Sequence, residues 1–440
     1  MQDTANRNGG VNAIAGFLGI NPGEFVAVAW SFVYFFSLLS AYYMLRSVRE
    51  AMAIMGGTQN IPWLFTGTFV VMMLATPVFG WVASRYPRKQ FLPWVYYFFI
   101  LNILIFFGAF TYALRNGVET IWIARAFFVW LSVFNLFVVS VFWSFMADIY
   151  SKGQGRRLFG LISAGGSAGA LIGPLLTSVL VIPLGFQNLL PLSAGLLMFS
   201  VYCVAQLRRW AEQAPTEAHK MPLDSSNPIG GGALAGIRLV FTSPYLGAIA
   251  LGAAFASFMG TATYIYMAQL VSENFATTDE QTQVFALLDA LTNSLSFVGQ
   301  LIIVKQVVQR FGVGVSLSIL PIVSVIGFTL LAINPVFIVI AALQIARRSL
   351  TFGLGKPTSD MLYTVVSPEE KYKAKNFTET ALYRGGDLVG AWVVKMMSGL
   401  GLSGISLICV PIAAIWTAIA FWLGKDYERR DKAISEGQTV

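Results

Sequence analysis

Residues 335–360 read PVFIVIAALQIARRSLTFGLGKPTSD. The stretch is almost wholly apolar up to Ala346. Two adjacent cations follow, Arg347 and Arg348, then a glycine-rich run that ends in Lys356 and Asp360. In water this would be a loop after a core helix. In a bilayer it is a spanning helix with two arginines near its middle. Composition decides between the two. Of 440 residues, 56% are hydrophobic and 11% are charged, with mean hydropathy +0.68. A soluble domain carries roughly 25% charged residues. Apolar runs of the roughly 20 residues needed to span a bilayer recur along the chain. Backbone groups find no partner in lipid, so only helices or closed barrels can cross it. Barrel strands alternate apolar and polar residues, and these runs do not. The expected fold class is an all-α integral membrane protein.

The remaining composition excludes several classes. Cys203 and Cys409 lie in separate apolar runs and suggest no disulfide framework. The single histidine, His219, sits in a polar connector, and no His, Cys or carboxylate cluster has metal-ligand spacing. No metal or cofactor is expected. The formal charge of +8 is explained by positively charged cytoplasmic loops, so nucleic acid is not an expected partner. GLGKPTSD, from Gly353, has Pro357 where a phosphate-binding loop needs a hydroxyl residue, and no strand precedes it. The N-terminal residues lack the features of a signal peptide. VNAIAGFLGI, residues 11–20, is expected along the membrane surface.

About twelve spans are expected, beginning near Phe25, Pro62, Phe91, Ile121, Leu158, Leu189, Tyr245, Gln283, Val315, Pro335, Thr378 and Ser403. A polar, Pro/Gly-rich connector at 208–236 separates two six-helix bundles, 1–207 and 237–440. Lys and Arg concentrate in the even-numbered connections: Arg85, Arg88 and Lys89; Lys152, Arg156 and Arg157; Arg208 and Arg209; Lys305 and Arg310; Lys371, Lys373 and Lys375. Both termini and all even connections are therefore expected in the cytoplasm. The expected location is the bacterial inner membrane.

Six plus six spans with a cytoplasmic connector resembles the major facilitator superfamily. The loop after span two strengthens the likeness. That family has a pattern like G-x-x-x-D-R-x-G-R-K there, and this chain has Gly80, Ser84, Arg85, Pro87, Arg88 and Lys89 in the corresponding places. Ser84 replaces the aspartate and Pro87 the glycine. QRFG at 309–312 is a fainter echo after span eight. The resemblance implies a cytoplasmic gate motif at Gly80, Arg85, Arg88 and Lys89; simple positive-inside anchoring is the alternative.

Ionisable groups within spans cost about 3 kcal/mol or more and mark cavities by default. Span one ends with Arg46 and Arg49 on one face and Glu50 beside them; an anion-facing role is one reading, and snorkelling at the outer helix end is the alternative. Arg125, near the outer end of span four, reads as a snorkelling cation, and Asp148 as a loop anchor. Asp289 lies inside span eight, one turn from Asn293. Arg347 and Arg348 point about 100° apart, so one of them faces a central path and the other is free to pair with Asp289 or Asp387. Lys356 and Asp360 are spaced to pair with each other. Gly353, Gly355 and Pro357 read as a loosened, gate-like helix. In span eleven, Arg384, Asp387 and Lys395 fall on one helical stripe, with Gly385, Gly386 and Gly390 permitting close helix approach. Arg46, Arg49, Arg347, Arg348, Arg384 and Lys395 outnumber Glu50, Asp289 and Asp387. Buried charge must be compensated, and an anionic ligand would do so. Arginine suits bidentate phosphate or carboxylate recognition.

Several stretches also resemble the ATP/ADP translocase family of plastids and intracellular bacteria. Leu45-Arg46-Ser47-Val48-Arg49-Glu50-Ala51-Met52 stands where that family has a pattern like L-R-x-L-K-D-T-L. VVSVFWSFMADI from Val138 and GRRLFGLISAGGSAGA from Gly155 are similar to its spans four and five. GKPTSDMLYTVVSPEEKYKAKNFTETALYRGGD, from Gly355, resembles its D-P-T-x-E-M-x-Y segment with a following lysine cluster and arginine. The resemblance implies a secondary transporter of nucleotides or other phosphorylated metabolites, working by exchange or ion coupling. It puts Arg49 in the place of a lysine associated with nucleotide transport, with Arg384 and Lys356 as further candidates.

The expected substrate-binding set is Arg46, Arg49, Arg347, Arg348, Arg384, Lys356, Tyr264 and Tyr266. Gln269 is a further candidate contact, and core packing is the alternative for all three span-seven residues. Glu50, Asp289, Asp387 and Lys395 would serve coupling or charge pairing. A bilayer, a small anionic substrate and a monomeric chain complete the expectation. The alternatives are proton-coupled transport of a carboxylate, sugar or amphipathic compound and, more remotely, a membrane-embedded enzyme or sensor.

Overall fold

The structure, a computed structural model, describes residues 20–21, 23–85, 88–213, 235–367, 370, 373–375 and 377–436. Residues 11–19 of the expected surface segment, connector residues 214–234 with His219, Pro87, and Lys371 of the even-loop cations lie outside the described residues. Every regular element among those described is helical. The long helices are α1 (Phe25–Met55), α2 (Ile61–Arg85), α3 (Arg88–Asn116), α4 (Ile121–Ile149), α5 (Lys152–Leu184) and α6 (Leu189–Gln213). After the short α7 (Ala235–Thr242) come α8 (Pro244–Asn274), α9 (Thr278–Val298), α10 (Val304–Ile333), α11 (Phe337–Leu350), α12 (Lys356–Met361), α13 (Tyr383–Met396) and α14 (Gly401–Ser435).

Eleven helices among the described residues are long and apolar enough to cross a membrane. The remaining expected span is Phe377–Leu382 running into α13. Its composition sets it apart, because it carries Glu379, Arg384, Asp387 and Lys395. Prolines 77, 93, 174, 183, 321 and 411 lie inside helices, as membrane spans tolerate when neighbouring groups satisfy the freed backbone. α10 is broken at Gly312, whose φ of 80° and ψ of 174° suit a residue without Cβ. The chain therefore turns at the glycine of QRFG. Capping boxes begin α5 at Ser151 with Gln154 and α9 at Thr277 with Glu280, satisfying amide donors that the helix itself cannot pair.

The chain divides into two compact units, Met1–Arg49 with Met72–Ser226 and Glu50–Val71 with Asn227–Val440. In the first, aromatic rings fill the core. Tyr34, Tyr96, Phe110, Phe127, Phe128, Phe134 and Phe142 are fully buried, and Phe35 stacks on Phe142 with centroids 4.0 Å apart. Between α1 and α5 there is no room for side chains. A Cβ on Gly165 or Gly169 would lie 2.4 Å from a carbonyl oxygen of α1, that of Phe32 or Phe36. Lipid tails are as apolar as the helices, so such close contact, more than hydrophobic burial, holds spans together.

At the start of α1, Glu24 accepts from Gln154 Nε2 at 2.9 Å and from Arg157 Nη2 at 3.0 Å, while the Asn21 amide donates to it at 3.1 Å. Burial by itself would raise its carboxyl; the hydrogen bonds and the Arg157 charge outweigh burial and hold it below the usual value.

The second unit has two apolar clusters, one around Met259, Tyr266, Phe328 and Trp416 and one around Tyr245, Leu246, Tyr363 and Leu423. The Glu50–Val71 segment joins this unit through Trp392, whose Nε1 donates to Thr66 Oγ1 at 3.1 Å and whose ring meets Trp63 edge-on at 5.0 Å. Among the described residues only this unit contains π-helical turns, at Gly299–Ile303, Thr351–Gly355 and Phe377–Leu382. Two of them touch: a Cβ on Gly299 would meet Gly353 Cα at 3.4 Å, and Gln300 Nε2 donates to Phe352 O at 3.0 Å.

Two outcomes follow. Gly169→Ala should lose about 1–3 kcal/mol through overpacking. Gly160→Ala, on the same helix with nothing within 4 Å of its added Cβ, should match or exceed wild type. Thermal unfolding of the two proteins in detergent checks this. Glu24 has a lowered folded-state value, so its stabilisation is present above the ordinary value of 4.5 and lost as pH falls through the lower one. Glu24→Gln should therefore be less stable near neutral pH, by about 1 kcal/mol. The gap should close in acid, as read by the same unfolding assay across pH.

Candidate functional site

The two arginines of the opening stretch stand at the end of α11, just before the π-helical turn Thr351–Gly355. Arg347 is 4% exposed. Its Nε donates to Ser324 Oγ at 3.0 Å, Nη1 to Thr263 Oγ1 at 3.1 Å and Nη2 to Ala256 O at 3.3 Å. The two hydroxyls are pre-aligned as acceptors, because each donates its own proton one turn back: Thr263 to Met259 O at 2.6 Å, Ser324 to Leu320 O at 2.9 Å. All three acceptors are neutral. Arg348 differs. Its Nη1 donates to Asp289 Oδ1 at 2.6 Å, with the side chains 20% and 3% exposed. Ser349 adds a bond from its hydroxyl to Thr292 O at 3.2 Å. The two arginines thus tie α11 to α8 and α10 on one side and to α9 on the other.

Span eleven approaches α8 closely. A Cβ on Gly386 would lie 2.7 Å from Ser257 Oγ, and one on Gly390 would lie 3.4 Å from Phe258 Cα. Gly385 has nothing within 4 Å, so the expected role in close packing falls to Gly386 and Gly390 alone. Asp387 Oδ1 lies 2.7 Å from Ser257 Oγ and 3.4 Å from Thr261 Oγ1. Arg384 Nη1 is 3.9 Å from Asp387 Oδ2, and its side chain is 48% exposed. Tyr383, beside them, is within electrostatic reach of Asp387, Arg347, Arg384 and Arg348. The fold therefore gathers three cations, Arg347, Arg348 and Arg384, with two carboxylates, Asp289 and Asp387. The most accessible cation of the group is the loosely paired Arg384.

Other expected residues lie elsewhere. Lys356 is committed to Glu379 and to Asp360, the latter at 3.3 Å, while Lys375 contacts Asp360 at 2.9 Å and Glu379 at 3.8 Å. Lys356 thus sits in a charge-balanced cluster of two lysines and two carboxylates at the end of span ten. Tyr266 is 4% exposed inside the apolar cluster of the second unit, which makes it core. Tyr264 meets Phe65 edge-on at 5.5 Å. Gln269 donates to Glu273 at 2.9 Å. Lys395 lies 5.2 Å over the Trp392 ring, about three turns beyond Arg384 and two beyond Asp387. Arg125 packs over Trp122 at 4.7 Å.

In the first unit, Arg49 lies over the Phe128 ring at 4.0 Å and Arg46 over Tyr43 at 5.6 Å, both cation–π contacts. Glu50 follows them on α1, 5% exposed. Of the gate motif, Arg85 ends α2 with its side chain exposed. The side chains at 80, 88 and 89 lie outside the description.

The residues that sequence reading missed are neutral: Ser257, Thr261, Thr263, Ser324 and Tyr383. The available signal was Ser257 and Thr261 one turn apart, in line with the Gly386 and Gly390 spacing. A further groove of about 410 Å³ lined by Val240, Phe241, Pro244, Gly247 and Leu251 is apolar and holds none of these groups. No cluster of potential metal ligands occurs among the described residues.

Residues 25–374 match the family profile described as Major Facilitator Superfamily. ADP,ATP carrier protein 2 of Chlamydia pneumoniae is 20% identical over 478 residues, covering 88% of this chain and 86% of that protein. Among solved structures, a bacterial homologue of the iron transporter ferroportin, in an inward-facing state, is similar with a TM-score of 0.66 and 13% identity, over 92% of this chain and 98% of that one. The nucleoside transporter NupG is similar with a TM-score of 0.57 and 14% identity, over 92% of this chain and 98% of that one. At such identities the structures speak to fold. The length of the profile match, together with the helical architecture, shows that this chain belongs to the Major Facilitator Superfamily and is a membrane transporter of that kind.

Proposed function

We propose that the protein is a secondary transporter of an organic anion, a nucleotide or another phosphorylated metabolite, and that it does not act as an enzyme. Transport would proceed by alternating access of two six-helix bundles, 1–207 and 237–440, joined by the 208–236 connector. The protein would work as a monomer in a bacterial inner membrane with both termini in the cytoplasm. The observation that carries this reading is the imbalance around Tyr383. Arg347, Arg348 and Arg384 face two carboxylates, Arg347 is held by neutral oxygens, and Arg384 is half exposed with Asp387 only at 3.9 Å. An anion would complete that charge balance, and a guanidinium is suited to phosphate or carboxylate oxygens. The distant likeness to an ADP,ATP carrier protein supports the nucleotide form of the proposal.

In this reading the roles divide. Arg347 and Arg348 hold helices together, and Arg384 meets substrate, with Arg46 and Arg49 of α1 as further anion-facing groups. Asp289 serves charge pairing with Arg348.

Proteoliposomes preloaded with ADP should take up labelled ATP, with sugar phosphates and dicarboxylates as competing anions. Arg384→Ala should reduce uptake about tenfold or more, and Arg49→Ala should also reduce it. Unchanged exchange in both variants would remove them from the site. Arg348→Ala or Asp289→Asn should each cost about 3–5 kcal/mol by leaving one partner of a buried pair uncompensated. The double variant Arg348→Met/Asp289→Leu should recover much of that loss in a detergent unfolding assay. A double variant no more stable than the single ones would show that the pair does more than hold α9 to α11.

A further inference from the structure

We propose that the groove between α7 and α8 holds one acyl chain of an anionic phospholipid, with the headgroup at the Arg238 end. The groove has a volume of about 410 Å³ and is walled by Val240, Phe241, Pro244, Gly247, Leu251 and Ala254. None of these side chains offers a hydrogen bond. Thr242 and Ser243, which join the two helices, also border it, and Thr242 Oγ1 already donates to Arg238 O at 2.9 Å. A polar solute would lose its hydration there without replacement. A hydrocarbon chain has none to lose.

Position points to the membrane as the source of that chain. Pro244 is the first residue of a helix long and apolar enough to span, Pro244–Asn274, so the groove runs inward from the end of that helix. Ten residues separate Pro244 from Ala254, or about 15 Å of helix. That is half of a hydrocarbon core about 30 Å thick, the depth of one leaflet. Gly247 lets α7 lie this close to α8, because a Cβ there would be 3.1 Å from Val240 O. On α7, Phe241 is 81% exposed and Arg238 is exposed three residues before it. An aromatic ring and a cation on one short helix suit the boundary between lipid and water.

The charge at that boundary selects the headgroup. Arg238 makes no ion pair among the described residues. α7 and α8 meet α14 in one apolar cluster that includes Val240, Tyr245 and Leu423. Just beyond Leu423, Asp426 receives both Arg429 and Arg430, and Arg430 lies 4.5 Å over the ring of Tyr245, the neighbour of Pro244. Lys425 and Lys432 match Glu428 and Asp431 in number. Arg238 and one of the two arginines on Asp426 are therefore in excess over carboxylates within 425–432. Ser243 adds a donor, because its Oγ accepts from the Leu246 amide at 3.4 Å and keeps its own proton for a headgroup oxygen. The start of the 31-residue helix α8 favours negative charge at the same place. A zwitterionic headgroup would bring its own cation beside Arg238, and an anionic one does not.

The test uses the full-length protein in nanodiscs of phosphatidylcholine with a minor fraction of phosphatidylglycerol that carries a photoreactive group on one acyl chain. Peptide mass spectrometry maps the labelled residues. Label should concentrate on 240–254 relative to the exposed α3 surface around Trp94 and Phe98. Phosphatidylglycerol should label the groove about fivefold or more above a phosphatidylcholine probe with the same chain, the worth of one basic residue at an anionic membrane surface. Arg238→Gln should erase most of that preference and leave the groove labelled. Ala254→Trp, which fills the groove, should abolish its labelling but not that of α3.

Equal labelling of the groove and of the α3 surface by both probes overturns the site. Groove labelling that is the same for the two lipids and unchanged in Arg238→Gln overturns the anionic headgroup. A photoreactive side chain placed at Leu251 that cross-links to the 208–236 connector or to a second copy, with no lipid label in the groove, overturns the lipid as occupant. If Ala254→Trp does not fold, the wild-type map and Arg238→Gln decide the matter, since neither alters a packed position.

Discussion

A guanidinium inside a membrane protein must be surrounded by oxygen before the helices that bury it can close. Arg347 meets that constraint without a carboxylate. Thr263 and Ser324 each donate to a carbonyl of their own helix, which leaves their lone pairs aimed at the guanidinium, and Ala256 supplies a backbone oxygen. Its neighbour Arg348 meets the same constraint with the charge of Asp289. Because the two side chains leave α11 in different directions, they bind different helices: α8 and α10 through Arg347, α9 through Arg348. The second unit is organised around this cross-brace, and the π-helical turn of span ten begins immediately after it.

The two units solve the packing problem by different means. Lipid offers little hydrophobic drive for helix association, so contact has to come from close fit or from polar bonds. In the first unit close fit dominates, through the glycines of α5 against the backbone of α1 and a core of stacked and edge-on aromatic rings. In the second, glycines also permit close approach, as at Gly386 and Gly390, but there the approach brings polar groups together. Three π-helical turns occur in that unit. Such turns often mark functional positions, and two of them lie at the charge cluster of Lys356, Asp360, Lys375 and Glu379. Spans ten and eleven are therefore irregular on either side of one charge-balanced contact.

Membership of the Major Facilitator Superfamily narrows the mechanism more than the substrate. The structural relatives include proteins named for iron and for nucleoside transport. Within a shared architecture, the difference between them lies in the side chains the spans carry. Here those side chains are mainly arginines with too few carboxylates to match, which is why an anion is the substrate class proposed. The neutral hydroxyls matter as much as the charges. They decide which arginine is already held by neutral oxygens.

The sequence by itself determined the class, the approximate spans and the existence of charges within them, because apolar length and lysine and arginine placement are local properties that lipid enforces directly. It also marked Gly353, Gly355 and Pro357 as a place where the helix loosens, and the π-helical turn Thr351–Gly355 overlaps it. It placed Gly385, Gly386 and Gly390 at a close approach, of which two are in contact. Only the tertiary structure decided the partners. The family resemblance put Lys356 among the substrate candidates, and folding sets Glu379, distant in sequence, beside it as a second carboxylate partner with Asp360. Tyr266 looked able to contact a ligand and is core. Lys395 shares a stripe with Arg384 and Asp387 yet rests on Trp392. The choice between Arg347 and Arg348 could not be made from the chain, because adjacent residues on a helix differ only in direction. What each direction meets, a set of hydroxyl oxygens or a carboxylate, depends on helices brought alongside by folding.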